Sequence, residues 1–253
     1  MPDLANLIVF PAFLVFCRLG AAIMVFPGFS DPSVNPRVRL LLAMTGTLLI
    51  WPMVEPTLPN LPDTLGKMME YMTIEIIMGI LIAIAARLFM SAMNVAGEMI
   101  AFATGFQAAT LFDPISNSNS TAISLFLMVT AGVLIFATNL HHVLIEGVIQ
   151  SYQMFPPGNL PKSGDALQAI LTVIQNLFVV GLKIAAPVVT VGFLSYVAFG
   201  IFNRLIPQLH VFFVALPVSI VVGMFVMASV LAAMLTLFTT EIHNNAILFT
   251  QQG

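Results

Sequence analysis

Six ionisable residues lie within or beside long apolar runs of a chain that carries few charges. They are Arg18, Glu75, Arg87, Glu98, Lys183 and Arg204. A charged side chain costs about 3 kcal/mol at the centre of a bilayer by insertion scales, so in a membrane such groups face protein or water. The chemistry open to them is therefore pairing with another group, or lining a path for ions and protons.

Helical spacing groups some of these residues with other polar side chains into two stripes. The first stripe runs at i, i+4, i+7 and i+11 and consists of Arg87, Ser91, Asn94 and Glu98. The second consists of Gln168, Thr172, Gln175 and Lys183. Residues at this spacing share one helix face, which could pair with neighbouring helices, line an aqueous path or contact other subunits. Pro187 is expected to bend the second helix.

A metal site is the other chemistry that spacing suggests. His142 and Glu146 lie four residues apart, which on a helix can present two ligands to one metal ion. No third or fourth ligand of the right type is near them in sequence, so a helix end at an interface is the preferred interpretation. The chain also has no Ser/His/Asp arrangement, phosphate loop or metalloprotease motif. We expect no metal, no cofactor and no enzymatic activity.

The composition identifies the class of protein. Of 253 residues, 59% are hydrophobic and 8% are charged, whereas ordinary soluble domains carry about 25% charged residues. This predicts an integral membrane protein. The net charge of −3 and the absence of a basic run disfavour nucleic acid as a partner.

The apolar runs predict an all-helical protein. A transmembrane helix needs about 20 mostly apolar residues. The candidate spans are about 4–26, 40–54, 71–104, 122–149, 166–203 and 209–240. The second is short, and the third and fifth are too long for a simple crossing. The connectors PGFSDPSVNPRVR, EPTLPNLPDTLGK and PPGNLPKSGD are rich in proline and turn formers, which marks them as loops.

Between the third and fourth runs lies the stretch GFQAATLFDPISNSNST, from Gly105 to Thr121. Its first half is apolar and bulky, whereas its second half is serine and asparagine, residues typical of loops. Asp113-Pro114 is expected to fix a turn, because proline restrains the residue before it.

Three blocks of the chain resemble a known family. They are AGEMIAFATGFQAATLFDP, GLKIAAPVVTVGFLSYVAFGIFNRLIPQLHVFFVALPV and the N-terminal CRLGAAIMVFPGFSDPSVNPRVRLLLAM. Together they resemble the FliR family of flagellar biosynthetic proteins, which is homologous to the T subunit of virulence-type export gates. The resemblance covers essentially the whole chain. The second block is the most specific, because it places Lys183, Pro187, Asn203, Arg204, Pro207, Gln208 and Pro217 in one order.

The resemblance implies a particular assembly. One copy of this chain would join several copies of the P-type and Q-type export-gate subunits, with residues 1–160 like a P subunit and residues 161–253 like a Q-type helical hairpin. Its helices would form long bent hairpins. The gate would lie in the bacterial inner membrane at the flagellar basal body, project towards the periplasm and pass unfolded flagellar proteins. The B-type and A-type export components would be further partners.

The resemblance also implies roles for individual residues. The loop after the central helix would project into the pore and help to plug it, and an ordinary connector is the alternative. The plug residues would be Gly105, Phe106, Gln107, Leu111, Phe112, Asp113 and Pro114. The buried polar residues that pack subunits would be Arg18, Arg87, Asn94, Glu98, Lys183 and Arg204.

Two other functions fit the same residues. An ion-coupled secondary transporter would use intramembrane Arg87, Glu98 and Lys183 and a helix broken near Pro187, features that are typical of that class. Transporters usually show symmetry between their halves, and we find none here. A non-conducting assembly scaffold differs from a gate subunit only in whether a pore runs past this chain.

Overall fold

The computed structural model describes residues 9–31, 34–110, 120–158, 163–206 and 211–251, and all of its regular elements there are helices. These are α1 (Phe10–Val25), α2 (Pro36–Val54), a 3₁₀ turn (Glu55–Thr57), α3 (Leu65–Thr104), α4 (Gln107–Thr110), α5 (Ala122–Ala137), α6 (Leu140–Met154), α7 (Ser163–Leu205) and α8 (Val211–Gln251). The expected all-α fold is confirmed.

Local sequence explains where α2 begins. The Asn35 side chain accepts a hydrogen bond from the Arg37 backbone N–H at 3.0 Å, and Pro36 occupies the first helical position. Asparagine is a favoured N-cap and proline a favoured first residue, since its missing N–H would have no partner there. Arg37 therefore lies in the first turn of α2, whereas the sequence had placed it in a connector.

The expected span at 122–149 is broken into two helices. α5 ends at Ala137 and α6 begins at Leu140. Between them Asn139 adopts a left-handed backbone conformation with φ +58°. Asparagine tolerates this conformation because its short polar side chain can bond locally. The candidate span is therefore not one continuous helix, because a single left-handed residue breaks it with no proline or glycine at the break, although the two helices together still pass as one bent span.

Four described helical segments are long and apolar enough to cross a membrane: Pro36–Thr57, Leu65–Thr104, Ile170–Leu205 and Val214–Asn244. The number rises to five if α5 and α6 together count as one broken span. α1 has only 16 residues and is not among them, so the candidate span at 4–26 is not supported by the residues described there. α3, α7 and α8 have 40, 43 and 41 residues.

The chain divides into two compact units. The first combines residues up to Phe89 with Ile135–Ile174 and the residues from Ile242 onward. The second combines Met90–Leu134 with Gln175–Glu241. These units follow contacts within the chain. The expected division near residue 160 concerned likeness to two other kinds of subunit, and it stays a prediction.

In the first unit, α1 packs on α2, and both contact α6. Their buried core consists of Val15, Leu19, Ala22, Ile23, Phe26, Ala43, Ile50, Val54, Ala83, Val148 and Tyr152. Gly79 of α3 lies so close to α1 that an added Cβ would overlap the carbonyl oxygen of Arg18. A glycine therefore permits the contact between these two helices.

In the second unit, the C-terminal half of α3 is closely surrounded by other helices. An added Cβ at Gly192 of α7 would lie 2.6 Å from the carbonyl oxygen of Ala103, and one at Gly181 would lie 3.1 Å from that of Ala92. Gly223 of α8 likewise lies directly against Thr104. In a membrane the hydrophobic effect does not drive helices together, so their association depends on close packing. Small residues permit that packing and are typical of membrane helix contacts.

The close approach at Gly192 gives a direct test. Gly192→Ala should lower the free energy of unfolding by about 1–3 kcal/mol, because the methyl group forces two backbones apart. Gly200→Ala on the same helix meets no atom within 4 Å and should be neutral or stabilising by up to about 1 kcal/mol, since alanine favours helix. Thermal unfolding of both variants in detergent would measure the difference. Equal midpoints would show that the backbones are not in contact.

Candidate functional site

Arg18, at the middle of α1, is the centre of a polar cluster in the first unit. Its side chain and that of Glu75 on α3 are both fully buried. The Arg18 Nε donates to Glu75 Oε2 at 2.7 Å, and Nη2 donates to Oε1 at 2.9 Å. This is the two-pronged geometry in which a guanidinium and a carboxylate bind most strongly.

The remaining faces of the Arg18 guanidinium are also occupied. Nη1 donates to Ser151 Oγ at 3.0 Å, and Nη2 donates to the Phe155 carbonyl at 3.1 Å. The guanidinium carbon lies 3.9 Å from the centre of the Tyr152 ring, a distance suited to a cation–π contact. One arginine therefore connects α1, α3 and the end of α6. Buried charges are tolerated when they are paired and hydrogen-bonded in this way.

Cys17, next to Arg18, is buried and free. Burial, with a smaller contribution from the Glu75 charge, raises the pKa of the Cys17 thiol to about 11. α1 lies outside the candidate membrane spans. The thiol therefore stays protonated at neutral pH and is a poor nucleophile. It is the chain's single cysteine, so cysteines introduced at exposed positions can be labelled selectively.

Glu98 is the centre of a second cluster, in the second unit. Its Oε1 accepts hydrogen bonds from the Thr121 backbone N–H at 3.0 Å and from Ser124 Oγ at 2.7 Å. Thr121 caps α5, since its Oγ1 accepts from the Ser124 N–H at 3.3 Å. Gly97 permits this contact, because an added Cβ there would overlap the Ser124 backbone. A carboxylate at a helix N-terminus also interacts favourably with the helix dipole.

Glu98 therefore fixes the point at which the expected plug segment returns to a helix. At the other end, Gly105 terminates α3 with φ +75°, a left-handed conformation that glycine adopts without strain. Phe106 is half-buried, and Gln107 begins the short helix α4. The expected plug residues Leu111, Phe112, Asp113 and Pro114 lie outside the described residues.

The third polar contact joins α7 to α8 within the second unit. Lys183 Nζ donates to Glu241 Oε1 at 2.7 Å, and the two side chains are 52% and 23% exposed. Glu241 was not among the expected site residues, because the candidate span ended one residue before it. Of the other expected packing residues, Arg87 and Arg204 are exposed and Asn94 is half-buried.

The sequence did not reveal the partners of Arg18. Glu75 was noted as an intramembrane charge but was not paired with it, and neither Ser151 nor Tyr152 was noted at all. These partners lie 57 and more than 130 residues away, beyond the reach of any helical spacing. The only sequence feature that could have indicated this pair is charge balance, since a buried arginine requires a buried anion.

The pair His142 and Glu146 does not form a metal site in the described residues. The ring centres of His141 and His142 lie 4.2 Å apart, and Glu146 Oε1 accepts a hydrogen bond from Gln150 Nε2 at 3.1 Å. In the described ranges, no group of three or more His, Cys, Asp or Glu residues could hold a metal ion.

These features define an all-helical membrane protein whose best-enclosed polar groups connect helices to one another. Residues 9–245 match the family described as bacterial export proteins, family 1. The chain is 34% identical to the flagellar biosynthetic protein FliR of Caulobacter vibrioides, over 96% of both chains. It is 31% identical to FliR of Bacillus subtilis, over 85% of this chain and 83% of that one. It is 29% identical to FliR of Escherichia coli, over 85% of this chain and 81% of that one. The chain therefore belongs to bacterial export protein family 1, the FliR family, as the sequence predicted.

We predict that substitutions at Arg18 and Glu75 have strongly non-additive effects on the free energy of unfolding. Arg18→Met or Glu75→Met alone should cost about 3–5 kcal/mol of stability, because each leaves a buried charge without its partner. The double variant should recover most of that loss, since two apolar side chains leave no charge. A double-mutant cycle on unfolding in mixed detergent measures the coupling. If the two losses simply add, the pair is not the connection between α1 and α3.

We predict that Glu98 protects the first turn of α5 from amide hydrogen exchange. Glu98→Ala should make amides in the first turn of α5 exchange roughly tenfold faster, a change equivalent to about 1.4 kcal/mol. Hydrogen exchange read by mass spectrometry would follow the peptide that begins at Ser120. The matched control is Glu146→Ala, whose carboxylate bonds only to Gln150 in the described structure. Unchanged exchange in Glu98→Ala would refute the anchoring role.

Proposed function

We propose that this chain is a subunit of the flagellar type III protein-export gate. Its family membership makes it a component of the flagellar export apparatus, and its apolar helices suit the inner membrane. The finer proposal is that, with P-type and Q-type subunits, it forms the channel through which unfolded flagellar proteins leave the cytoplasm. The observation that carries this proposal is the extent of exposed apolar surface.

The surface of α7 is the clearest case. Exposed large apolar side chains begin at Leu171, which is 55% exposed, and continue to Leu205, which is 70% exposed. At 1.5 Å per residue this stretch covers about 50 Å, whereas the hydrocarbon core of a bilayer is about 30 Å thick. Lipid alone therefore leaves part of it facing water. Contact with other protein subunits removes that cost, which supports an assembly of several chains.

The proposed plug is the segment from Gly105 to Thr121. Its two ends are fixed in the second unit, at the left-handed Gly105 and at the Glu98–Thr121 contact. A short segment held at both ends can fill a pore without being lost from it. The apolar first half supplies bulk and the polar second half supplies solvation. In this proposal the segment closes the resting gate and moves aside for a substrate.

The location and partners follow from the family resemblance. We infer one copy of this chain with several copies of the P-type and Q-type subunits, in a gate that projects towards the periplasm within the basal body. The A-type and B-type export components are the further partners. The chain performs no covalent chemistry in this proposal, so the energy for export comes from other components.

The ion-coupled transporter has less support. Of the three intramembrane residues that a transporter would use, Glu98 and Lys183 have partners within the chain. Glu98 accepts hydrogen bonds from a helix terminus, and Lys183 is paired with Glu241. Arg87 is exposed on α3, so the bonded Glu98 and Lys183 are what favours a structural role over ion coupling.

The plug proposal predicts a leaky gate. The complex would be purified with its co-expressed P-type and Q-type subunits, and residues 108–119 would be replaced by a short Gly/Ser linker. The ion conductance of the closed complex in planar bilayers should rise at least about tenfold, because the bulk that fills the pore is gone.

The control is the same replacement in the connector at residues 58–64, which should leave conductance unchanged. Native mass spectrometry should find the same subunits in all three complexes. Unchanged conductance in the first variant would refute the plug and leave the subunit proposal standing. A chain that purifies alone, whatever the detergent, would refute the subunit proposal itself.

A further inference from the structure

The segment that follows α6 lies against the buried Arg18–Glu75 pair. This segment, called the connector below, consists of Phe155, Pro156, Pro157 and Gly158 and leads towards α7. Proline restricts its own φ and also the residue before it, so two prolines in a row make the connector stiff. Pro157 is buried and Pro156 is exposed, so one side of the connector packs against the protein.

Both members of the ion pair contact the connector backbone. Arg18 Nη2 donates to the Phe155 carbonyl at 3.1 Å, and the same nitrogen donates to Glu75 Oε1 at 2.9 Å. The Gly158 backbone N–H interacts with the Glu75 carboxylate. Because one nitrogen serves both the ion pair and the connector, a movement of the guanidinium that breaks the pair also disturbs its contact with Phe155.

Gly158 fits the connector against α3. Its φ is +83°, a conformation that glycine adopts without strain. An added Cβ at this position would overlap the Tyr71 ring. Tyr71 lies four residues before Glu75, so the two side chains share one face of α3. Glycine is therefore required where the connector crosses that face, for a conformational and a steric reason.

We propose that the Arg18–Glu75 pair is a clasp that holds the connector between α6 and α7. The intact pair holds the Phe155 carbonyl and the Gly158 amide, and it thereby fixes the place from which the chain enters α7. The connector can be released while the helices of the first unit stay packed. The clasp needs no other subunit, since each of these contacts lies within the chain, so it goes beyond the proposed function and does not depend on it.

The first test releases the connector without removing a charge. In Gly158→Ala the added methyl group meets Tyr71, and alanine disfavours the left-handed backbone. The matched control is Gly164→Ala in the first turn of α7, where an added Cβ meets no atom within 4 Å. Both variants would be purified as full-length chains in detergent and compared by hydrogen exchange read by mass spectrometry.

A peptide that spans the connector is a sharp reporter. Its two prolines carry no N–H, so within the connector only the amides of Phe155 and Gly158 exchange. After correction for intrinsic rates, the amide at position 158 should exchange at least about tenfold faster in Gly158→Ala, whereas peptides from α1 should stay within about twofold, because the opening is local. Gly164→Ala should leave both peptides unchanged. Equal connector exchange in the two variants, or an equal acceleration of α1, would overturn the clasp.

A second pair of variants covers the case in which Gly158→Ala does not fold. Arg18→Lys keeps the positive charge, but a lysine ammonium lacks the planar fork that binds the carboxylate and the Phe155 carbonyl together. It should accelerate exchange of the Gly158 amide, whereas Arg87→Lys, at an exposed arginine of α3, should not. Unchanged exchange of that amide in Arg18→Lys would show that the ion pair does not hold the connector.

Discussion

The first unit depends on one requirement, that a buried guanidinium must have all its faces occupied. Arg18 meets this requirement by binding Glu75, Ser151 and the Phe155 carbonyl, with Tyr152 against its face. These groups come from segments that are far apart in sequence. Because an unpaired charge would be so costly there, only an arrangement that brings α1, α3 and α6 together is acceptable.

The second unit is organised by close approach rather than by charge. Gly97, Gly181 and Gly192 remove side chains where backbones meet around α3, and Gly223 lies against the Thr104 side chain. The contact at Gly97 brings Glu98 within reach of Thr121 and Ser124. The missing side chain at Gly97 thus allows the Glu98 carboxylate to bond to the start of α5. That bond also fixes the chain on either side of the segment that we propose to act in the pore, since Gly105 ends α3 nearby.

The exposed surface connects the fold to the function. α7 shows exposed apolar side chains over a length greater than the hydrocarbon core of a bilayer. A surface of that kind is unsuitable for water where it extends beyond the bilayer. Contact with other protein subunits, as we propose, would cover this excess of apolar surface.

Much of the fold could be predicted because the positions of most helices depend on local composition. The long apolar runs gave the helices, and the prolines near residues 36 and 56 correctly marked the limits of α2 to within a few residues. The break at Asn139 could not be predicted, since a left-handed asparagine looks like any other asparagine in sequence. The 3.6-residue period grouped Arg87 with Glu98, yet Arg87 is exposed while Glu98 is bonded to α5.

The sequence by itself determined the class, most of the helices and the family, and it indicated that intramembrane charges would face protein or water. The tertiary structure alone decided which partners those were. Glu75 lies 57 residues from Arg18, and Glu241 lies 58 residues from Lys183. Periodicity carries information over a few turns of one helix, whereas pairing between helices depends on how their backbones pack. That packing is set by the sum of many small contacts, which no single stretch of sequence contains.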